Sequence, residues 1–232
     1  MPKGGNTDTG NPVPFHWNPA AAGLDGKSFT ADTIDVLNNL TSIPQPDGTE
    51  LVDRIEVITG FSLNGHAVTP AGFGTNYGLY FEYVDHNAAG LPPTFLSVEF
   101  TLKADPGNLN GPVVSDTSQT GFTNTGPTGQ ADDIVLAHGS LVQGMVFIDD
   151  TTTPPTLHGD GVDTFIPDIA EFFKGGSDLL RGVAANPVTL LTTTEVPGVG
   201  TVTNFNNFVG HDQFVTDRPG NGNAFAFGSD HG

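Results

Sequence analysis

Cysteine is absent from this 232-residue chain, and basic side chains are scarce. Without cysteine the protein has no disulfide framework, no cysteine-based zinc site and no cysteine nucleophile. Seven Lys and Arg residues stand against 26 Asp and Glu residues, which gives a formal net charge of -19. A surface of this sign repels phosphate backbones and anionic membrane surfaces. We therefore expect neither nucleic acid nor a membrane among the partners of this protein.

Long apolar runs are missing as well. No stretch of about 18 apolar residues occurs, so we expect no membrane insertion by a helix. The N-terminal residues 1–23 also lack the apolar core of a secretory signal. Hydrophobic residues nevertheless make up 36% of the chain, and 17 of them are Phe, which is too apolar a composition for a disordered segment. The sequence predicts a folded protein large enough to be stable without disulfides or metals.

Alternation of apolar and polar residues predicts several β-strands. The segments with this pattern are residues 55–63, 77–84, 96–102, 134–148, 188–194 and 201–205. Asn64-Gly65 follows the first of them and is a strong hairpin signal, because both residues accept a positive φ. Residues 134–148 are predicted either as two strands broken near His138-Gly139 or as one long bulged strand. In the first strand, the alternation places Glu56 on the face opposite the apolar residues.

Helical spacing is rare in this chain. Three apolar residues at i, i+3 spacing predict one short helix, and a second group follows Pro167. The two groups are Ile34, Leu37 and Leu40, and Ile166, Ile169, Phe172 and Phe173. Strands separated by turn signals, with few helices between them, favour antiparallel sheets. The predicted fold is mostly β, an antiparallel β-sandwich or barrel-like domain with one or two short helices.

Composition divides the chain into three parts. Residues 1–30 contain four prolines and are predicted to form an extended arm that supplies no internal strand. Phe15 and Trp17 in this arm are expected to cap the core, and a binding role is the alternative. Residues 31–215 form the predicted β-domain, and residues 216–232 form a tail rich in Gly, Asn and Phe. We expect such terminal segments to add strands to a neighbouring copy of the protein.

One acidic segment resembles a known calcium-binding motif. Residues 158–166, HGDGVDTFI, resemble the nonapeptide G-G-x-G-x-D-x-U-x of the RTX exported proteins. The matching residues are Gly159, Gly161, Asp163 and Phe165, and His158 replaces the first Gly. In that motif glycines let the backbone turn, so that carbonyl and carboxylate oxygens converge on a hard cation. The resemblance implies calcium as a cofactor, with Asp160 and Asp163 as candidate ligands; an Asp-Gly turn without metal is the alternative.

Two further acidic pairs flank the apolar segment 134–148. Asp132-Asp133 precedes it and Asp149-Asp150 follows it. Carboxylates at strand ends commonly prevent edge-to-edge aggregation. A cation site built from these four side chains is the second possibility that the sequence leaves open.

Paired carboxylates also define the enzyme class that fits best. Glu82 and Glu99 lie on neighbouring predicted strands, and glycosidases act through such a pair. The alternation places both side chains away from the core, which is the ordinary position of a surface glutamate. No phosphate-binding loop, dinucleotide fingerprint or nucleophile elbow occurs in the sequence. The sequence assigns no catalytic residue beyond this pair, and no enzymatic activity is expected.

The middle of the chain resembles an exported family. The segments IEVITGF at 55–61, NYGLYFEY at 76–83 and TLKADPG at 101–107 are similar to flocculation-associated proteins of the PEP-CTERM type. The sorting signal of that family is absent. The final residues 214–232 resemble the tails of type I secretion substrates. These resemblances imply an extracellular or cell-surface location and a role in exopolysaccharide or matrix assembly.

Charge, composition and resemblance together indicate a function. The sequence predicts an exported structural or adhesive protein of a bacterial surface, matrix or filament, which assembles as a homo-oligomer or polymer through its terminal arms. The alternative is a binding module for calcium, carbohydrate or both, with polysaccharide as partner. A polysaccharide-acting enzyme is the third hypothesis.

Overall fold

The computed structural model describes residues 12–88, 94–110, 114–115, 124–125, 129–174, 178–187 and 191–215. Nearly all of these residues lie in β-strands or in the turns between them. The strands are β1 (Phe15–Trp17), β2 (Phe29–Ala31), β3 (Thr33–Pro44), β4 (Thr49–Leu63), β5 (His66–Val68), β6 (Tyr77–Ala88), β7 (Thr94–Pro106), β8 (Val114–Ser115), β9 (Asn124–Thr125), β10 (Ile134–Asp149), β11 (Thr156–Thr164), β12 (Ile166–Pro167), β13 (Phe173–Lys174), β14 (Leu179–Pro187), β15 (Leu191–Val196) and β16 (Gly200–Phe214).

Eight of the strands form a closed antiparallel barrel. In spatial order they are β3, β4, β6, β7, β10, β11, β14 and β16, and β16 pairs with β3 to close the ring. This order is also the chain order, so the barrel runs up and down without crossovers. β5 extends the hairpin of β4, and β15 pairs with β16. The prediction of an antiparallel, barrel-like β-domain is therefore confirmed.

The two segments predicted as short helices form strands and turns instead. Residues 33–44 form β3, because Ile34 and Val36 face the core as alternate residues of a barrel strand. Residues 166–173 form β12, a turn and the start of β13. Within the described residues, the helical segments are two 3₁₀ turns, Pro19–Ala22 and Gln130–Asp132. A few apolar residues at i, i+3 spacing are compatible with a helix or with a strand, and pairing with neighbouring strands decided between the two. No described helix is long and apolar enough to cross a membrane.

Turns and bulges follow the sequence signals more closely. Asn64 and Gly65 adopt φ values of 52° and 74° and connect β4 to β5, as the hairpin signal predicts. Residues 134–149 form the single long bulged strand that was one of the two alternatives. Its bulges lie between Val135 and Ala137 and between Leu141 and Gln143. The late hairpin is β15 with the first part of β16, joined by residues 197–199.

One end of the barrel is filled by an aromatic core. Its largest fully buried side chains are Phe15, Trp17, Phe61, Tyr77, Phe81, Phe172 and Phe214. The ring centroid of Trp17 lies 5.2 Å from that of Phe61 and 4.6 Å from that of Phe173. Phe15 and Trp17 therefore cap the core, as predicted. They do so from β1, which pairs with β2 and β13 of the same chain, so the prediction that residues 1–30 supply no internal strand is wrong.

The other end of the barrel is bounded by different loops. The connections 44–49 and 149–156 lie there, together with the ends of β6 and β14 and the starts of β7 and β16. We call the end with these connections the open end. The end filled by the aromatic core is the closed end. On the outside, β8 and β9 contact β3 and β4. Ile55, on the outer face of β4, is only 2% exposed.

Candidate ligand site in the barrel interior

Polar and charged side chains fill the middle of the barrel beyond the aromatic core. Five of them come from two adjacent strands and two come from the opposite wall. They are Arg54 and Glu56 on β4, Tyr83, Asp85 and Asn87 on β6, Asp163 on β11 and Asp212 on β16. We call this set the polar cluster. All of its members except Arg54 are less than 7% exposed.

The position of Glu56 corrects the strand alternation expected from the sequence. Asp35 pairs with Gly60 while the next residue, Val36, pairs with Ile58, so Thr59 is an extra residue in β4. A bulge of this kind moves the following residues to the opposite face. Phe61 and Glu56 consequently both point inward although they have different parity. Glu56 therefore lies opposite Ile55 and Val57, as the alternation predicts, but on the same inward face as Phe61, which the alternation did not predict.

Arg54 holds the centre of the polar cluster. Its Nη1 donates a hydrogen bond of 2.9 Å to Glu56 Oε1, and its Nε lies 3.7 Å from Asp85 Oδ2. The guanidinium carbon sits 3.8 Å from the centroid of the Tyr83 ring, which is a cation–π contact. Burial opposes the charge on Arg54, but Asp85 and Glu56 more than offset it, and the pKa of Arg54 is raised. The guanidinium stays charged.

The carboxyl groups of the cluster have raised pKa values. Burial, only partly opposed by Arg54, raises the pKa of Asp85 to about 6 and that of Asp163 to about 7. Burial likewise raises the pKa of Glu56. The pKa of Asp212 lies well above its ordinary value because of burial and of the neighbouring Glu56 charge. Asp212 therefore donates a hydrogen bond to the Glu56 carboxylate, and Asp85 and Asp163 titrate closer to neutral pH than an exposed aspartate does.

Three further oxygen atoms of the cluster are buried acceptors to which the described residues donate no hydrogen bond: Asp85 Oδ1, Asn87 Oδ1 and Asp163 Oδ1. A buried acceptor without a partner costs about 1–3 kcal/mol, and native structures contain few of them. The cluster is therefore a costly arrangement for the fold.

Three glycines lie side by side in the wall formed by β10, β11 and β14. Gly144, Gly161 and Gly182 pair in register across three strands, and Gly182 pairs with Asp212. An added Cβ at Gly182 would lie 2.9 Å from Asp212 Oδ1, so this glycine makes room for the carboxyl group. At Gly159, an added Cβ would have no atom of the described residues within 4 Å. An eight-stranded barrel is either filled by its own side chains or holds one small ligand.

The Arg54 side chain points inward and is nevertheless 20% exposed, so this part of the cluster is in contact with solvent. Glu50 also faces the interior, nearer the mouth, where its Oε2 accepts a hydrogen bond of 2.8 Å from Ser42. The rim loops carry Asp47 and Asp149, whose pKa values are lowered by hydrogen bonds from Thr49 and Thr151. The mouth of the barrel is therefore negatively charged.

A groove interrupts the barrel wall near the mouth. Residues 99–104 of β7 pair with β10, whereas residues 94–98 pair only with β6 in the described part of the chain. Residues 141–149 of β10 pair with β11 alone. The two strands diverge here and leave a groove of about 410 Å³. Its apolar lining consists of Phe95, Leu96, Val98, Leu141 and Val142.

The predicted calcium ligands do not come together. The RTX-like segment is part of the straight strand β11, so Asp160 and Asp163 lie on opposite faces of the wall. Asp160 points outward and forms a buried, bidentate ion pair with Arg181, at 3.1 Å and 2.6 Å. Asp163 points inward and belongs to the polar cluster. Within the described residues, no three His, Asp or Glu side chains are grouped closely enough to hold a metal ion.

The other acidic pairs occupy separate places. Asp133 accepts hydrogen bonds from Tyr80 and from Asn110, and Asp132 is exposed. Asp149 accepts a hydrogen bond of 2.9 Å from the Thr151 amide in a rim loop, and Asp150 is exposed beside it. The two pairs lie at opposite ends of β10, as predicted, and therefore do not share one cation.

Glu82 and Glu99 lie on adjacent strands and point away from the core, as predicted. Glu82 forms an ion pair with Lys103 and accepts a hydrogen bond of 2.9 Å from Gln130. Glu99 is exposed near the groove. Neither side chain faces the barrel interior, where the carboxyl groups with raised pKa values lie.

Comparison with known proteins adds no relative. No protein-family model matches this chain, and no curated protein or solved structure matches it significantly. The polar cluster is therefore described by its own geometry.

Sequence reasoning missed the polar cluster as a whole. Two signals for it are visible in the chain: charged and polar residues at alternate positions, as in Asp85 and Asn87, and alternate glycines, as in Gly159 and Gly161. An alternate series of this kind points to one face of a strand. Only the closure of the barrel places these inward faces opposite one another.

Proposed function

We propose that this protein is a binding module that takes one small, polar ligand of the carbohydrate class into the open half of its barrel. The observation that carries this proposal is the polar cluster inside the barrel, on the same interior side as Gly159, where an added Cβ would meet no described atom within 4 Å. Hydroxyl groups of a sugar donate and accept hydrogen bonds, as the carboxyl, amide and guanidinium groups of the cluster do. The Arg54 guanidinium supplies a donor for ring or glycosidic oxygens.

An extracellular setting is part of the same proposal. The net charge of -19, the absence of cysteine and the resemblance of the tail to type I secretion substrates support it. In that setting the ligand would come from polysaccharide of the surface or matrix. Quantifying the protein in washed cells and in culture medium tests the location independently of ligand binding.

Filling the lumen is the sharpest test of the binding site. Gly159→Phe adds a large side chain where an added Cβ meets no atom, so the fold is expected to persist while the site is blocked. Val183→Phe is the matched control, since Val183 is 39% exposed on the outer face of the neighbouring strand β14. Calorimetric titration with mono- and disaccharides should show binding to the wild type and to Val183→Phe and none to Gly159→Phe. Equal binding by both variants would place the ligand elsewhere.

Self-assembly as a structural or adhesive protein is the second candidate, and the groove favours it. Each barrel strand has two neighbours, so addition of a strand from another copy needs a gap in the pairing. Residues 94–98 of β7 and 141–149 of β10 offer such a gap. The tail contains Phe225 and Phe227 alternating with Ala, a pattern suited to a strand with one apolar face. We therefore propose the tail of a second copy as its occupant.

Sedimentation velocity and light scattering test this second candidate. The intact chain is compared with a chain shortened after residue 220, at low and physiological salt. Screening at 0.15 M shortens the Debye length to about 8 Å and weakens repulsion between copies. Assembly that grows with salt and disappears on shortening supports it. A monomer at high concentration in every condition removes the polymer hypothesis and leaves the binding module in place.

A further inference from the structure

Two neighbouring strands of the barrel wall carry bulges on either side of the groove. In β7, Leu96 is an extra residue relative to β6. In β10, Val142 is an extra residue relative to β11. Bulges bend a strand and interrupt its pairing, and in the described part of the chain no backbone pairing joins residues 94–98 to residues 141–149. Here the barrel wall is not closed by backbone hydrogen bonds.

Side chains separate the groove from the barrel interior. Phe95 faces the interior, because it pairs with the inward-facing Asn87 of β6, and it packs against the core. Its ring reaches across the gap to β10, where an added Cβ at Gly144 would lie 3.1 Å from Phe95 Cδ2. Gly144 also faces the interior, since it pairs with Gly161. The Phe95 ring, placed against a position without a side chain, therefore forms part of the partition.

The groove lies directly beside the polar cluster. Three of the side chains that line it are the cross-strand partners of cluster residues: Phe95 of Asn87, Val98 of Asp85, and Leu141 of Asp163. Directly opposite side chains on one face of a sheet have Cβ atoms about 5 Å apart. One layer of side chains therefore separates the groove from three members of the cluster.

The same three cluster residues are closed to solvent in this structure. Asp85, Asn87 and Asp163 are 2%, 3% and 6% exposed, whereas Leu96 on the outer side of the groove is 59% exposed. A ligand therefore reaches these groups only if the wall or the mouth of the barrel moves. Local opening requires the least free energy where few backbone hydrogen bonds and buried contacts are lost. Rotation of the Phe95 side chain into the groove breaks no backbone hydrogen bond.

From this geometry we infer that the groove between β7 and β10 is a side entrance to the barrel interior, with the Phe95 ring as its gate. In the closed state the ring lies against Gly144. In the open state it turns into the groove, whose volume is about 410 Å³. The inference rests on the proposed function for what enters, and it adds the route into the same site.

The absence of cysteine allows the entrance to be tested without a ligand. Asn87→Cys places a single thiol in the interior beside Phe95, and Asp163→Cys places one beside Leu141. A buried thiol reacts with a neutral dipyridyl disulfide only when the protein opens, so the labelling rate of the native full chain measures opening. The circular dichroism spectrum verifies the fold of each variant, and two reporters keep the test valid if one of them does not fold.

Phe95→Ala, added to either reporter, removes the gate. The labelling rate should rise about tenfold or more and should change little with dilute urea, because local opening exposes little surface. Phe73→Ala is the matched control, since it removes another partly buried ring, at the closed end and away from the groove. Glu50→Ala widens the mouth. Each of these two controls should change the rate by less than about threefold if the side entrance is the route.

Four results would overturn the inference. They are an unchanged rate in Phe95→Ala, an equal rise in Phe73→Ala that shows global unfolding, a larger rise in Glu50→Ala that places the entrance at the mouth, and labelling that slows at high protein concentration because a second copy covers the groove. Calorimetric titration of the Phe95→Ala variant with mono- and disaccharides separates the two proposals. Faster labelling without saccharide binding would remove the proposed function and leave the side entrance in place.

Discussion

Replacing Asp163 by Asn should stabilise the protein at alkaline pH and not at acid pH. Asp163 is 6% exposed in the barrel interior, and burial raises its pKa from 3.8 to about 7. A raised carboxyl pKa means that the folded chain binds this proton more tightly than the unfolded chain does. The full stability is therefore present below about pH 4 and is lost as the pH rises to about 7.

The pKa difference sets the size of the effect. Each pKa unit corresponds to about 1.36 kcal/mol, so the ionised Asp163 side chain costs at most about 4 kcal/mol of folding stability at pH 8. The Asn variant has nothing to ionise and avoids this cost. We expect Asp163→Asn to raise the free energy of unfolding by about 2–4 kcal/mol at pH 8 and by less than about 1 kcal/mol at pH 4.

Urea denaturation followed by circular dichroism at unit pH steps from 4 to 8 measures this difference. Asp150→Asn is the control, because it removes one formal charge from an exposed position at the rim. The control should show no pH-dependent gain of this size. Two results would refute the reasoning: an equal gain for Asp163→Asn at pH 4 and pH 8, or a loss of stability at pH 8. Either would mean that the Asp163 carboxylate is stabilised in the folded protein.

Three further predictions concern the core, the outer wall and calcium. Trp17→Ala should lower the free energy of unfolding by about 3–5 kcal/mol in chemical denaturation, because it empties a fully buried site among Phe rings. His16→Ala, at the neighbouring position, should lower the free energy of unfolding far less. Arg181→Ala should lower it by about 3–5 kcal/mol at pH 7, because the buried Asp160 carboxylate is left unpaired. The double variant Arg181→Leu/Asp160→Leu should recover most of the lost stability. Calcium binding stays a prediction from the sequence alone, since the described residues group no three suitable ligands. If millimolar calcium raises the melting temperature, by the equivalent of about 2.7 kcal/mol at a concentration of 100 Kd, Asp163→Ala should abolish this shift and Asp116→Ala should not. Identical melting curves in calcium and in chelator would remove the calcium prediction.

The predictions for the N-terminal segment were confirmed in part. Phe15 and Trp17 had to be buried somewhere, since large aromatic rings in a soluble chain gain most from leaving water. Their place in β1, paired with β2 and β13, depends on a sheet formed by three distant segments. The three-residue strand Phe15–Trp17 fits between Pro14 and Pro19, which composition alone does not show. The tail prediction concerns residues 216–232, which lie outside the described residues.

The sequence by itself determined the β class, the strand-rich middle and the hairpin at Asn64-Gly65, because these depend on alternation and on local backbone preferences. It also determined the strong negative charge. Only the tertiary structure decided that β3 is a strand and not a helix, since its i, i+3 spacing is compatible with both. The barrel pairing joins residues 33–44 to β4 on one side and residues 34–42 to β16 on the other.

The polar cluster is the clearest case of a feature that only the tertiary structure decided. Glu56 and Asp212 are more than 150 residues apart and meet because β16 closes the ring against β3. Glu56 points inward only because Thr59 is an extra residue in β4. Asp160 and Asp163 share one motif in the sequence, yet the strand places them on opposite faces. Strand alternation can be predicted locally, but bulges and ring closure depend on contacts between distant strands, and these decide which side chains meet.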